Sequence, residues 1–383
     1  MIHAPATLCS LIVAPAGREG PWRVTRETGP DPAQALVGRT ADEASRLVPL
    51  VFNLCGAAHA AAASAALGLP GRPDTRAMAR ETMRDHALAI LHTWPAALGT
   101  APERATLALL SRPDAAAALG PALVADAGDL GDFSLAALEN WLSEAPTATA
   151  RLLASIRRAV DPAHGRARLL ELTIEDVAAA LRPPAPHPTS SCAGAQIPAA
   201  VNTGMAPEAS RAGTMPVPPV MAAARCAPSP LRESGALGRV AHRPLFAALL
   251  AQEGASLFVR LLARLVDCLL AIAALASGTD GTARSAAGSP AEGTGFTAPV
   301  GVGIAPAARG LLGHGARVEG GRVAAYRILS PSAWNLAPGG LLEQAFATLP
   351  SGPDAAWLAP LLVSAINPCV PVTLALAPEA AHA

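Results

Sequence analysis

The stretch Thr40-Ala41-Asp42-Glu43-Ala44-Ser45-Arg46-Leu47-Val48-Pro49-Leu50-Val51-Phe52-Asn53-Leu54-Cys55-Gly56-Ala57-Ala58-His59 sets the architecture of this chain. Thr40 and Glu43 have the spacing of a capping box, in which each side chain satisfies a free amide at a helix start. Pro49 lacks an amide hydrogen and is expected to interrupt that helix. Beyond Asn53-Leu54-Cys55-Gly56 an alanine-rich run should resume as helix to Leu67, ahead of Gly68 and Pro70. Cys55 then falls at a helix entrance, where the dipole is expected to lower its pKa. His59, four residues on, shares that helix face.

Working outward, helices are expected over 75–91, closed by Trp94-Pro95, and over 133–142, 148–160 and 174–181. Residues 183–230 turn to proline, serine, threonine and small residues with almost no charge, the composition of a linker or irregular insertion. Pro244 opens a long helix with Leu257, Leu261, Leu265, Cys268 and Ile272 on one face and Arg260, Arg264 and Asp267 on another. It should pack on the helices of the first half. Residues 277–295 read as loop, 309–329 as a β-hairpin turning at Gly320-Gly321, and about 354–365 as a last helix. The expected class is α+β, mainly helical, with an N-terminal half (1–182) and a C-terminal half (231–383) forming one core around the 183–230 segment.

Composition narrows function. The 383 residues carry formal net charge +0, and all 29 basic side chains are arginine. A Walker phosphate loop and a pyridoxal Schiff base, which need lysine, are excluded. Balanced charge and 3% aromatic residues argue against a nucleic-acid partner. Residues 1–14 lack a basic n-region and a long apolar h-region, so no secretion signal is read. The most apolar stretch, 268–276, is too short for a membrane span and reads as a core helix. Six cysteines scattered over the chain suit reduced thiols, and a cytoplasmic location is expected.

Asn53-Leu54-Cys55-Gly56-Ala57-Ala58-His59 and Asn367-Pro368-Cys369-Val370-Pro371-Val372 resemble the paired cysteine motifs of nickel-iron hydrogenase large subunits. Three further segments resemble that family in the same order. Glu233-Ser234-Gly235-Ala236-Leu237-Gly238-Arg239 is similar to its E-T-G-P-L-A-R, residues 303–314 to its G-x-x-x-A-x-R-G-x-L-x-H, and Pro331-Ser332-Ala333-Trp334-Asn335-Leu336-Ala337-Pro338 to its P-x-x-W-N-x-S-P. The resemblance covers about 38–98 and 231–372. It implies a large-subunit-like helical core with a small β-hairpin region.

The departures from that family bear on function. A hydrogenase holds nickel and iron with a C-x-x-C near each end, because soft sulfur ligands suit both metals. Here the second member of each pair is Ala58 or Val372, so the resemblance implies that the sulfurs bridging nickel to iron are missing. Asn53 replaces an arginine, Asn367 replaces the aspartate of D-P-C, and Ala375 stands where the family has the histidine of its C-terminal processing site. Neither nickel nor hydrogen turnover is expected. One cysteine left in each motif, with Arg80-Glu81-Thr82-Met83-Arg84-Asp85-His86 and Trp94-Pro95, resembles the HupK/HoxV accessory proteins of hydrogenase maturation.

That resemblance implies a non-enzymatic scaffold holding an Fe(CN)2CO unit before it passes to a hydrogenase large subunit. HypC-like and HypD-like iron-cyanide assembly proteins would be further partners. Cys55 and Cys369 are the expected metal ligands; the plainer reading of each is a small buried hydrophobe. Two thiolates underligate zinc unless His59 or water joins, but suffice for iron that already carries diatomic ligands. His59 is read as a third ligand or proton acceptor, against a structural hydrogen-bonded histidine. Arg309 is read as a cargo-facing donor to cyanide nitrogens, against a core salt bridge. Glu233 and Arg239 are expected to pair or cap within their own segment, and Trp334-Asn335 to pin the hairpin to the core. Cys9, Cys192, Cys226 and Cys268 match no motif. The alternatives are a metal-free large-subunit paralogue that binds maturation partners and, more remotely, a divergent hydrogenase with replacement ligands.

Overall fold

The computed structural model describes residues 6–17, 20–167, 171–181, 232–277 and 301–376. The expected linker over 183–230, Cys192, Cys226 and the loop over 278–295 lie outside the described residues. Strands β1 (Ala6–Pro15) and β2 (Trp22–Pro30) form an antiparallel hairpin that the sequence pattern did not reveal. Leu11 and Val13 on β1 enter the main core.

Helix α1 (Ala41–Val51) opens on the expected capping box: Glu43 N donates to Thr40 Oγ1 at 3.2 Å and Thr40 N to Glu43 Oε2 at 2.9 Å. Pro49 does not interrupt it. The proline lies in the last turn, where its missing amide forfeits one bond just before the helix ends. A 3₁₀ turn, Asn53–Cys55, then leads into α2 (Gly56–Ala66) at a bend of 87°. Helix α3 (Thr75–Leu88) is capped by Asp74, whose Oδ1 accepts from Ala77 N at 2.8 Å. Trp94-Pro95 does not close it, because the chain widens into a π-turn, Ala89–Thr93, and continues helically over Trp94–Ala97. Pro95 then sits in the first turn of that last piece, where its absent amide is tolerated.

The helix expected from Pro244 is two helices, Pro244–Glu253 and Leu257–Ala276, divided at Gly254 (φ +75°) and restarted by Ser256, whose Oγ accepts from Val259 N at 3.3 Å. The second helix packs on α3 and is buried along most of its length. Its Arg260, Arg264 and Asp267 are buried too, because each meets an opposite charge: Glu233, Asp85 and Arg239 respectively. Charges are tolerated at such depth only when paired and hydrogen-bonded.

The expected hairpin is part of a three-stranded antiparallel sheet of β3 (Gly301–Ala307), β4 (Gly310–Glu319) and β5 (Arg322–Leu329), in that order. Gly320 and Gly321 make the turn with φ of +56° and +76°, the positive values a type I′ turn requires. Strand β3 lies flat on α2, where a Cβ on Gly301 or Gly303 would strike the carbonyl oxygens of Ala66 and Ala62. The small residues of α2 permit that approach. The last helix, Ala355–Ile366, ends in Asn367, which takes a left-handed conformation at φ +55°. After Cys369 the chain forms β6 (Val372–Leu374), which pairs parallel to β1 in a sheet of order β2-β1-β6. The main core draws Leu11, Trp94, Leu138, Phe246, Leu262 and Leu362 from both sides of the 183–230 segment. Among the described residues no single helix is long and apolar enough to cross a membrane.

Candidate functional site

Cys55 occupies the N-cap position of α2 and is 6% exposed. Cys369 follows the left-handed Asn367 and Pro368, and its backbone amide donates to Ser332 Oγ at 2.8 Å. Arg309 stands between them, in the turn from β3 to β4. One guanidinium nitrogen donates to Cys55 Sγ at 3.4 Å, Nε donates to the Pro368 carbonyl at 3.3 Å, and the other terminal nitrogen pairs with Asp85 Oδ1 at 2.7 Å. One side chain thus joins the two cysteine motifs from opposite ends of the chain.

The segments that identify the fold build this junction. Arg239 donates to the carbonyls of Ala307 (3.1 Å) and Ala308 (3.0 Å), fixing the two residues before Arg309. It is itself forked onto Asp267, with Nε to Oδ1 at 2.8 Å. Asn335 accepts from Ser234 N at 2.9 Å and donates to Ser234 O at 2.6 Å, while Ser234 Oγ accepts from Leu311 N at 2.9 Å. Gly310 has no room for a side chain, since a Cβ there would meet Ser234. Trp334 and Asn335 pin the sheet as expected, Trp334 within a cluster that includes Val177, Leu181 and Leu329. Glu233 and Arg239 do not pair within their own segment. Glu233 receives both nitrogens of a fork from Arg260 (3.0 and 2.8 Å), because the Leu257–Ala276 helix brings Arg260 to Glu233 and Asp267 to Arg239.

Asp85 on α3 is the residue that sequence reasoning missed as a site component. Besides Arg309, its carboxylate accepts from Arg264 at 3.0 Å and from the Asn367 carboxamide at 2.7 Å. Its neighbour His86 bonds Asp267 Oδ2 through Nε2 at 2.7 Å and receives Arg264 Nε on Nδ1 at 3.1 Å. Burial pushes the Asp85 carboxyl up, but the adjoining His86 and the charges of Arg264 and Arg309 outweigh it, and Asp85 is held well below the usual carboxylate range. Asp267 is likewise held low against burial by Arg239 and His86. The only sequence signal for Asp85 was its place in the Arg80-to-His86 segment.

The expected lowering of the Cys55 pKa is reversed. Burial pushes the thiol up, and the Arg309 charge and hydrogen bond offset only part of that. The free amides at the start of α2 are satisfied instead by Glu81, whose Oε1 accepts from Ala57 N at 2.8 Å. His59 bonds His314 through Nδ1 at 3.0 Å and stacks on Phe52 with centroids 4.9 Å apart; Cys55 is not among its partners. His314 continues to the Tyr326 hydroxyl at 2.7 Å. Burial holds the His59 pKa down at about 4 and that of His314 well below the ordinary value. Among the described residues, no three His, Cys, Asp or Glu side chains are grouped to hold a metal ion. Cys268 is buried and Cys9 exposed, both free.

These five collinear segments and their junction define the fold of hydrogenase large subunits. The family description for nickel-dependent hydrogenase matches residues 221–346. The chain superposes on the Ni-Fe-Se hydrogenase of D. vulgaris Hildenborough with TM-score 0.53 at 16% identity, covering 92% of this chain and 94% of that one. An NAD+-reducing [NiFe]-hydrogenase matches with TM-score 0.51 at 17% identity, covering 91% and 92%. Closer likeness lies with two proteins described as hydrogenase expression/formation protein HupK. That of Rhodobacter capsulatus is 30% identical over 368 residues, 95% of this chain and 96% of its own. That of Rhizobium leguminosarum bv. viciae is 30% identical over 353 residues, 88% of this chain and 87% of its own. The chain belongs to the HupK family of hydrogenase expression/formation proteins, and the expected large-subunit-like, mainly helical α+β class holds.

Proposed function

We propose that this chain is a non-catalytic carrier that holds an Fe(CN)2CO unit between Cys55 and Cys369 and yields it to a hydrogenase large subunit in the cytoplasm. The observation that supports this most is the Arg309 guanidinium, in contact with the Cys55 thiol and with the carbonyl preceding Cys369. The donor chemistry fits such a cargo. Two soft sulfurs without a third protein ligand suit iron that already carries strong-field diatomic ligands better than a bare ion, which would need a fuller set. Ala58 and Val372 offer no bridging sulfurs, so nickel has no place in this reading.

The raised Cys55 pKa is consistent with reversible custody. A thiol that is protonated when empty must release a proton on taking up iron, and taking the proton back favours release of the cargo. Arg309 offsets part of that cost by stabilising the thiolate. HypC-like and HypD-like assembly proteins would supply the unit. Metal analysis of anaerobically purified protein, made alongside an intact maturation system, tests the proposal. Wild type should contain iron without nickel, and Cys55→Ser and Cys369→Ser should each lose the iron. Nickel in stoichiometric amount would point to a divergent hydrogenase. A protein free of metal whose cysteine variants still support hydrogenase formation would instead be a paralogue that acts through partners alone.

A further inference from the structure

The chain bend beside Cys55 presents a surface that the cargo site does not use. Leu50, Val51 and Leu54 are 74%, 49% and 60% exposed. Only five large hydrophobic residues are exposed among those described, so three falling within five positions is a concentration rather than scatter. Isolated exposed leucines are ordinary; a contiguous apolar ridge on a folded surface marks an interaction site.

A basic row is exposed on α3, the helix that supplies Glu81 to the start of α2. Along α3 the acids and bases alternate in sequence but part in space. Glu81 turns inward to the Ala57 amide and Asp85 to Arg309, Arg264 and Asn367. Arg76, Arg80 and Arg84, spaced four apart, stand exposed on the outer face, and among the described residues they have no ion-pair or hydrogen-bond partner. The bend meets α3 at Glu81, the residue that follows Arg80: a Cβ on Gly56 would lie 3.5 Å from Pro49 O and 3.6 Å from Glu81 Oε1. In the sequence Leu54 directly precedes Cys55, and Arg84 directly precedes Asp85.

We propose that Leu50, Val51 and Leu54 with Arg76, Arg80 and Arg84 form the docking surface for a protein partner that presents aliphatic side chains flanked by carboxylates. The apolar ridge supplies the desolvated centre and the unpaired arginines the charge complementarity that steers and orients encounter. An aliphatic ridge without aromatic stacking platforms disfavours nucleic acid as the occupant. The surface deepens the carrier reading and rests on it, since its place beside Cys55 is where a cargo donor or acceptor must sit.

The test places a photo-crosslinking benzophenone residue at Leu54, at Arg80 and, as control, at exposed Arg112 in the full chain, in cells with active hydrogenase maturation. Crosslinked peptides are then sequenced. Leu54 and Arg80 should both map to one segment of one protein with Asp or Glu flanking aliphatic residues, and Arg112 should not. With the crosslinker at Leu54, the R80E/R84E double variant should cut the adduct at least tenfold, and reversing the partner's acidic residues to arginine should restore it. Adducts to nucleic acid, lipid, a second copy of this chain or a segment without acids would overturn the proposal. So would an adduct indifferent to charge reversal, or none. Iron analysis of the same preparations separates the two readings: iron without the adduct leaves the carrier standing and removes the surface, whereas the adduct without iron does the reverse.

Discussion

The Asp85 carboxylate and the Asn367 carboxamide meet at 2.7 Å, a single bond that ties α3 to the left-handed turn carrying Pro368 and Cys369. The same carboxylate pairs with Arg309, which touches Cys55. Both cysteine motifs are therefore referenced to one acid on a helix that is itself packed against the longest helix of the core.

An amide at 367 can donate where an ionised acid cannot. Asn367→Asp would set two carboxylates against each other in a largely buried place, so one of them must be pushed up in pKa or swing away. The variant should lose about 1–3 kcal/mol at pH 7 and recover part of it as the pair takes up a proton on acidification. Thermal melts at pH 7 and pH 5 check this; equal losses at both pH values would show that the Asp85 contact does not orient this turn.

Asp85 itself should govern acid stability. Its folded pKa is depressed, so its contribution is fully present above the unfolded value near 4 and is lost as pH falls through the folded value. Asp85→Asn leaves Arg264 and Arg309 short of a counter-charge and should cost about 3–5 kcal/mol at neutral pH. Its stability should also fall less steeply than wild type's between pH 4 and pH 2, as read by chemical denaturation.

The two thiols should react differently. Cys55 is 6% exposed with a raised pKa, whereas Cys369 is only half-buried. Iodoacetamide on the cargo-free native protein should therefore label Cys369 well before Cys55 at pH 7.5, and Cys55 labelling should climb steeply with pH. Arg309→Gln removes the cation that favours the Cys55 thiolate and should move that climb to still higher pH. Peptide mapping by mass spectrometry gives both rates.

His59 and His314 should make the fold sensitive to mild acid. Both are neutral when folded, His59 with a pKa of about 4, whereas an unfolded histidine binds its proton near 6.5. Stability is full above that upper value and declines toward pH 4, by roughly 2–3 kcal/mol for a shift of this size. Tyr326→Phe leaves His314 Nδ1 without its hydroxyl partner and should cost about 1–2 kcal/mol at pH 7. His59→Gln should flatten the decline between pH 7 and pH 4 in thermal melts.

What the sequence made legible was local. The Thr40 capping box, the helix entrance at Cys55, the Gly320-Gly321 turn and the last helix each rest on neighbours within a few residues, and each stands in the structure. What it hid depended on distant partners. The Arg260, Arg264 and Asp267 face reads as solvated until the residues that neutralise it are brought near. Asp85 looks like one more surface acid of a charged helix, because its partners lie at Arg264, Arg309 and Asn367. The pKa of Cys55 follows the same pattern: the helix entrance was visible in the sequence, but the burial that outweighs it was not. His59 shares a face with Cys55 by spacing, yet its ring is drawn to His314 on the strand β4.

Infrared spectroscopy of the anaerobically purified protein, coexpressed with an intact maturation system, tests the shared cysteine site most directly. The carrier account predicts cyanide and carbonyl stretches in wild type, lost in both Cys55→Ser and Cys369→Ser. Bands that persist in either single variant, or that never appear in wild type, would contradict it.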